Sequence, residues 1–433
     1  MKRFINGIVC GFMAFSIALG ASYPTLASAK ESDTAPLSPA LSVLAEDGGM
    51  ALAGLVGKSI SFEADDFARA LNLSSISSIT ITEAPPISDG ELRVGNTVLN
   101  SGQTVSAASI SLMTYVPASS VTKSSFRFSV EGSGYDVPCE LYMLSSINYA
   151  PTLSEVPKSY LEVSTHRNIT LYGTLPCHDP EGDATVVEIV SYPQSGYITL
   201  TDKANGEYTY TPNAGYSGKD SFTYVARDVY GNYSAARTVS LTVSKPTVNA
   251  SFDDMKNSPA YNAALTMLEE GVMSGTQVGS DTYFYPDGTV TRGEFVAMTL
   301  RAIDINDVAD KTSTVFADDS SIPSHMKGYI ATAYELGYVK GIDTENGRCF
   351  EASRAITKAE AAVILGNILN VEIPTVLPTF KDASDIPAWA APSVYSLNSI
   401  GVMSATDGNI APTASLTRAD AAILLANLIN YLD

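Results

Sequence analysis

The chain is poor in the residues on which most catalytic and nucleic-acid sites are built. Three histidines occur in 433 residues, His166, His178 and His325, and none sits in a His-Glu-x-x-His pair. Gly-x-Ser-x-Gly and a phosphate-binding glycine loop are also missing, which removes the readable signatures of zinc proteases, serine hydrolases and nucleotide enzymes. Cys177-His178-Asp179 are adjacent, but adjacency is not ligand spacing for tetrahedral zinc. A glycosidase needs only two carboxylates, and 46 acids single out no pair. No catalytic residue and no metal site is therefore assigned.

Cations are scarce. Lys and Arg total 26 against 46 Asp and Glu, a formal net charge of −20. That excludes nucleic acid as a partner, because phosphate binding needs clustered Lys and Arg. Cysteine is scarcer still, with four residues. Cys10 falls in the first apolar stretch, leaving Cys139, Cys177 and Cys349, an odd number that cannot pair completely. Either Cys139 and Cys177 bridge near a domain junction, or all three are buried small side chains. Beyond the N-terminus no apolar run is long enough to span a membrane.

At the N-terminus, Lys2 and Arg3 precede a short apolar stretch, Ile8 to Leu19, and Ala27-Ser28-Ala29. This reads as a secretory signal peptide over 1–29. The length beyond it requires several domains. Within 40–147, short alternating runs such as Ser78–Thr82 and Ser125–Val130 are separated by Pro85-Pro86, Asp89-Gly90 and Gly132-Ser133-Gly134, the pattern of an all-β sandwich. A second β-rich stretch covers 149–245, with Asn205-Gly206 between two alternating runs predicting a hairpin. The two stretches share Thr114-Tyr115-Val116-Pro117 and Thr209-Tyr210-Thr211-Pro212, each followed by a Ser-Phe pair.

The last third is triplicated. Phe252-Asp253-Asp254, Phe316-Ala317-Asp318 and Phe380-Lys381-Asp382 recur at intervals of 64 residues. Each is followed by a charged tetrapeptide: Thr291-Arg292-Gly293-Glu294, Thr357-Lys358-Ala359-Glu360 and Thr417-Arg418-Ala419-Asp420. A fixed period means one supersecondary unit used three times, here over 252–310, 316–373 and 380–433. Each unit predicts a first helix between a proline and a glycine (259–271, 323–337 and 387–401) and a second helix capped by the Thr, with the acid three residues on closing a capping box.

These residues resemble the S-layer homology domain in three copies, and 149–243 resembles the bacterial cadherin-like or immunoglobulin-like domains of surface proteins. The resemblance implies two all-β immunoglobulin-like sandwiches followed by an α-helical pseudo-threefold trimer. It also implies a secreted, non-enzymatic cell-surface protein held non-covalently on secondary cell-wall polysaccharide or peptidoglycan, commonly polysaccharide bearing ketal-linked pyruvate. The candidate polymer-binding residues are Asp254, Asp318 and Asp382, the motif residues Thr291, Arg292, Glu294, Thr357, Lys358, Glu360, Thr417, Arg418 and Asp420, and Trp389.

The expectation is that free N–H groups at each helix start, with the neighbouring Arg, hold a sugar carboxylate. Lys358 in place of Arg makes copy two the weaker site. The competing reading is that the motif only caps helices and pairs charges. Tyr261, Tyr329 and Trp389, expected at the helix starts, either stack on sugars or pack between repeats. The β regions serve as spacer, lattice-forming or adhesive modules, with self-assembly into a surface layer among the expected roles. The alternative is a wall-anchored hydrolase with its site in the N-terminal domain. Asp179, Glu181 and Asp183 form either a calcium loop or a polar turn.

Overall fold

A computed structural model describes residues 49–71, 73–131, 136–248, 251–308, 310–375 and 377–432. The expected signal peptide, and residues 40–48 of the first β region, lie outside them.

The first unit alternates apolar and polar residues, and its strands bury one side accordingly. It comprises β1 (Met50–Leu55), β2 (Ile60–Ser61), α1 (Ala64–Ala70), β3 (Ser78–Glu83), β4 (Gly90–Val94), β5 (Thr97–Val98), β6 (Thr104–Ser106), α2 (Ala107–Ile110), β7 (Met113–Pro117), β8 (Lys123–Val130) and β9 (Asp136–Leu144). In β8, Ser124, Phe126, Phe128 and Val130 are buried while the residues between them are not. The sheets run β1-β9-β8-β3-β6 and β2-β7-β4-β5. The all-β expectation misses α1. Phe67 on that helix is fully buried and meets Phe128 edge-on at 4.8 Å, with Ala68 buried beside it, so this short apolar face docks a seven-residue helix.

The second unit repeats the layout. Its elements are α3 (Lys158–Leu161), β10 (Glu162–His166), β11 (Leu171–Thr174), β12 (Thr185–Ser191), β13 (Gly196–Asp202), β14 (Glu207–Pro212), β15 (Gly218–Asp228) and β16 (Arg237–Ser244). Its sheets run β10-β16-β15-β12 and β11-β14-β13, the first unit's order without its two extra edge strands. In both units the first strand pairs in parallel with the last, β1 with β9 and β10 with β16. The matched tyrosines Tyr115 and Tyr210 are fully buried, and their hydroxyls donate to Asp89 O at 2.7 Å and Asp220 Oδ2 at 2.8 Å. The Asn205-Gly206 hairpin forms as expected. Gly206 takes a left-handed φ of 69° with Leu175 O against its Cα, leaving no room for a side chain.

Cys139 and Cys177 do not bridge. Cys139 is buried in the first unit's core and Cys177 is half-buried in the second, so different domains hold them. Burial pushes both thiols above their ordinary range, and Cys177 also contacts Thr185 Oγ1.

The C-terminal third comprises α4 (Tyr261–Glu269), β17 (Thr276–Val278), β18 (Asp281–Tyr283), α5 (Arg292–Ala302), α6 (Ser324–Glu335), β19 (Ile342–Thr344), β20 (Gly347–Cys349), α7 (Lys358–Leu369), α8 (Ala391–Ser399) and α9 (Arg418–Leu432). Gly271, Gly337 and Gly401 end the three first helices with φ of 67°, 78° and 78°. The hairpins β17–β18 and β19–β20 have only an isolated bridge, Thr406 with Asn409, as their third counterpart. All three copies share one core. None of the described helices is long and apolar enough to cross a membrane.

The copies join through a closed circuit of backbone bonds. Ile356 N donates to Val290 O at 3.0 Å, Leu416 N to Ile356 O at 2.8 Å, and Val290 N to Leu416 O at 2.9 Å. All three side chains are buried. Each unit thus lends one donor and one acceptor to its neighbours, and no unit in the circuit is an end.

The second β unit docks on this ring. The ring nitrogens of buried His166 face Asn262 Oδ1 at 2.7 Å and Glu269 Oε2 at 3.0 Å on α4. On the third copy, Ser159 Oγ donates to Ile400 O at 2.6 Å and Tyr160 Oη to Asn398 O at 3.2 Å. Burial raises the Glu269 carboxyl, but the bonds from His166 and Thr247 outweigh it and leave it below the usual range. A carboxyl lowered on docking stabilises the joint at neutral pH, and that contribution is lost as pH falls through its lowered value. His166→Ala should cost about 1–3 kcal/mol of docking, since it leaves buried partners unpaired. Small-angle scattering should then show a wider spread of arm positions, with the melting of each unit unchanged.

Candidate functional site

Each motif tetrapeptide opens a second helix at the contact with the next copy. The capping boxes form as the sequence predicts. Thr291 Oγ1 accepts from Glu294 N, Thr357 Oγ1 from Glu360 N and Thr417 Oγ1 from Asp420 N, at 3.1–3.3 Å, while each acid accepts from the Thr backbone in return. The helix-start N–H groups expected to be free are not. Arg292 N donates to Arg354 O, Lys358 N to Ala414 O and Arg418 N to Gly288 O, and the next three amides donate to Ala352, Pro412 and Pro286 carbonyls, all at 2.8–3.0 Å. Ring closure uses the donors that an isolated helix would offer a ligand.

Asp254, Asp318 and Asp382 also face protein backbone. Each carboxylate accepts from two consecutive amides: Phe284 and Tyr285, Phe350 and Glu351, Ile410 and Ala411, at 2.6–3.0 Å. The second residue of each pair is left-handed, with φ of 58°, 61° and 53°. The acids thus hold a strained turn that presents the residue after the Phe or Ile.

The three motif cations differ in what surrounds them. Arg292 is buried, stacks on the Phe350 ring at 5.0 Å, and lies 3.7 Å from Glu360 Oε1. Its Nε is buried without a partner, and burial pushes its pKa down. Lys358 Nζ pairs with Asp420 Oδ1 at 3.0 Å. Arg418 stacks on the Phe284 ring at 4.7 Å and donates to Phe284 O and Ser274 O, each at 2.8 Å. The sequence analysis missed Arg354, which grips Glu360 with two nitrogens at 2.6 and 3.1 Å and Glu351 with a third at 2.8 Å. Aligning the copies on their Thr exposes it, because the same place holds Gly288 in copy one and Ala414 in copy three.

Of the aromatics, Trp389 is 58% exposed just ahead of α8. Tyr261 starts α4 and is half-buried. Tyr329 is not at a helix start; it lies inside α6, where Arg301 stacks on it at 5.0 Å and donates Nε–H to its hydroxyl at 3.0 Å. Pro323 precedes the helix as the sequence reading places it, and Tyr329 falls on the second turn.

A separate acidic cluster sits beside the joint of the two β units. Asp179, Glu181 and Asp183 bring oxygens within 4.8 Å of one another. Asp179 is buried and its Oδ2 has no partner, while its Oδ1 accepts from Glu181 N and Asp183 N at 3.0 Å. Lost solvation, then the charges of Asp179, Asp228 and Glu181, raise the Asp183 carboxyl. Hard oxygen donors and an orphaned buried carboxylate oxygen suit calcium at Asp179, Glu181 and Asp183. Calcium should raise the melting temperature of the protein, and Asp179→Asn should abolish that rise.

Burial raises the Glu360 carboxyl, but Arg354, the Thr357 amide and Arg292 outweigh it and hold the carboxyl below the usual range. Its contribution is present at neutral pH and lost as pH falls through that lowered value. Glu360→Gln leaves buried Arg292 without its carboxylate, while Arg354 keeps Glu351, and should cost about 3 kcal/mol of ring stability at pH 7, with less difference at pH 3, in paired melts.

Against known proteins, the S-layer homology domain family matches residues 251–296, 315–362 and 379–422, and the bacterial cadherin-like domain family matches 148–245. The chain is 29% identical over 184 residues, 41% of its length, to an amylopullulanase of Thermoanaerobacterium thermosulfurigenes, and spans 9% of that protein. It is 26% identical over 178 residues, 40% of its length, to the surface-layer 125 kDa protein of Lysinibacillus sphaericus, of which it spans 14%. Among solved structures, the fibronectin(III)-like modules of Clostridium thermocellum CbhA cover 48% of the chain and 96% of their own at 14% identity, with a TM-score of 0.22. The chain thus carries three S-layer homology repeats in register behind a bacterial cadherin-like domain, the make-up of a cell-surface protein.

Proposed function

We propose that the C-terminal ring is a non-covalent anchor for an acidic secondary wall polysaccharide, and that the β units are an arm carried by it. In this reading the ring is a pseudo-threefold trimer of repeats and the arm is two immunoglobulin-like sandwiches acting as spacer, lattice or adhesive module. The observation that carries it is the circuit itself, which sets one motif cation at each of three inter-copy contacts. Repeated sites suit a repeating ligand, because linked weak contacts reinforce one another through effective concentration. The strong net negative charge elsewhere on the chain confines favourable contact with an acidic polymer to such local cations.

Relatives named amylopullulanase, exoglucanase and surface-layer protein match over 178–187 residues each. That proteins with such different names each match about two fifths of the chain fits an attachment module better than a catalytic one. In this reading the arm is non-catalytic.

Sedimentation of the whole chain with isolated cell walls tests the reading. Binding to intact walls, lost when the secondary polysaccharide is extracted, is the expected result. Equal binding to extracted walls would move the partner to peptidoglycan, and no binding to either would overturn the anchor.

A further inference from the structure

The second β unit stands on the ring of repeats at two footholds, and one of them is built around a single imidazole. His166, at the end of β10, is 5% exposed. Its Nδ1 lies 2.7 Å from Asn262 Oδ1 and its Nε2 lies 3.0 Å from Glu269 Oε2. A neutral imidazole has one N–H and one bare nitrogen, whereas the imidazolium has two N–H groups. The partners decide which of the two fits.

Glu269 is a carboxylate held below the usual range, with the bond and the charge of His166 among the causes. Its other oxygen, Oε1, accepts from Thr247 N at 2.6 Å. The orientation of Asn262 is fixed by backbone on both sides. Its Nδ2 donates to Ser164 O at 3.1 Å and its Oδ1 accepts from His166 N at 3.0 Å. Turning the amide over would set donor against donor at His166 N and oxygen against oxygen at Ser164. Turning the imidazole over would point carbons at both acceptors. Both nitrogens therefore face oxygens that only accept, and both need a proton.

The other neighbours supply no charge. Ser244 on β16 stands opposite His166 in register, and Thr165 precedes it on β10. Arg167 and Lys245 flank the pair in sequence, and among the described residues neither lies within 4.0 Å of the Glu269 carboxylate. The second foothold is neutral throughout: Ser159 and Tyr160 donate to Ile400 O and Asn398 O, and burial pushes the Tyr160 hydroxyl up to about 12.

We propose that His166 is held as the imidazolium in the docked chain, which makes this foothold a latch released by alkaline pH while the Ser159–Tyr160 foothold stays as the hinge. The inference does not depend on the anchor reading. When the imidazole loses a proton, one of its two contacts becomes a pair of acceptors face to face in a buried joint, where an unmade bond is most costly. Docking is thus favoured while the imidazolium lasts and weakens as pH rises through the titration of the imidazole. Glu269 sets the opposite limit, because its contribution is lost as pH falls through its lowered value.

The test uses the whole chain, with small-angle scattering from pH 6 to pH 9 and nitrogen NMR of its three imidazoles, of which those of His178 and His325 are exposed. The spread of arm positions should widen with rising pH, the undocked-to-docked ratio growing by up to about tenfold per pH unit, the slope for one proton released. At pH 7 one imidazole should carry protons on both nitrogens, and its signal should vanish in His166→Gln and persist in His178→Gln. Glu269→Gln places an amide donor against a bare Nε2 and should keep the arm docked at pH 9, where the unchanged chain is loose. A merely structural His166 would give neither the alkaline step nor this rescue. A single N–H on His166 at pH 7, or the same spread of positions at pH 6 and pH 9, would overturn the latch.

Discussion

The circuit of backbone bonds through Val290, Ile356 and Leu416 is the constraint on which the rest of the ring depends. Each unit is too small to bury its own apolar helices, and sharing one core removes that difficulty. Closure has a second consequence. The amides that open each second helix are taken by the neighbouring copy, so the helix starts join units and do not present donors to a ligand. In the proposed anchor, recognition falls to side chains at the seams, where the motif cation of one copy faces the next.

Closure imposes near-symmetry, and the sequence then breaks it at a few places. The position three residues before the motif Thr is Gly288, Arg354 or Ala414, and this one difference decides whether a groove is open or filled. The residue at the left-handed turn is Tyr285, Glu351 or Ala411. A backbone that repeats three times thus carries three different surfaces at its seams. The two β units show the same economy, with one strand order used twice and different edges added to the first.

Much of this is legible in the sequence because it is local. The capping boxes, the helix-ending glycines and the Asn205-Gly206 hairpin each depend on residues within a few positions of one another. Helix α1 was missed because Phe67 earns its place by contact with Phe128, 61 residues away. The roles assigned to Asp254, Asp318 and Asp382 changed for a similar reason. Their partners are amides about 30 residues on, and an exposed-looking acid near a helix start is indistinguishable in sequence from one that clamps a distant turn. The pairing of Lys358 with Asp420 is a property of the closed ring and of no single copy.

Amide hydrogen exchange of the whole chain, with and without isolated wall polymer, tests the central claim most directly. The account expects slowed exchange concentrated at the seams between copies within residues 251–432, with the β units unchanged. Protection confined to residues 49–245, or no slowing at any seam, would contradict it.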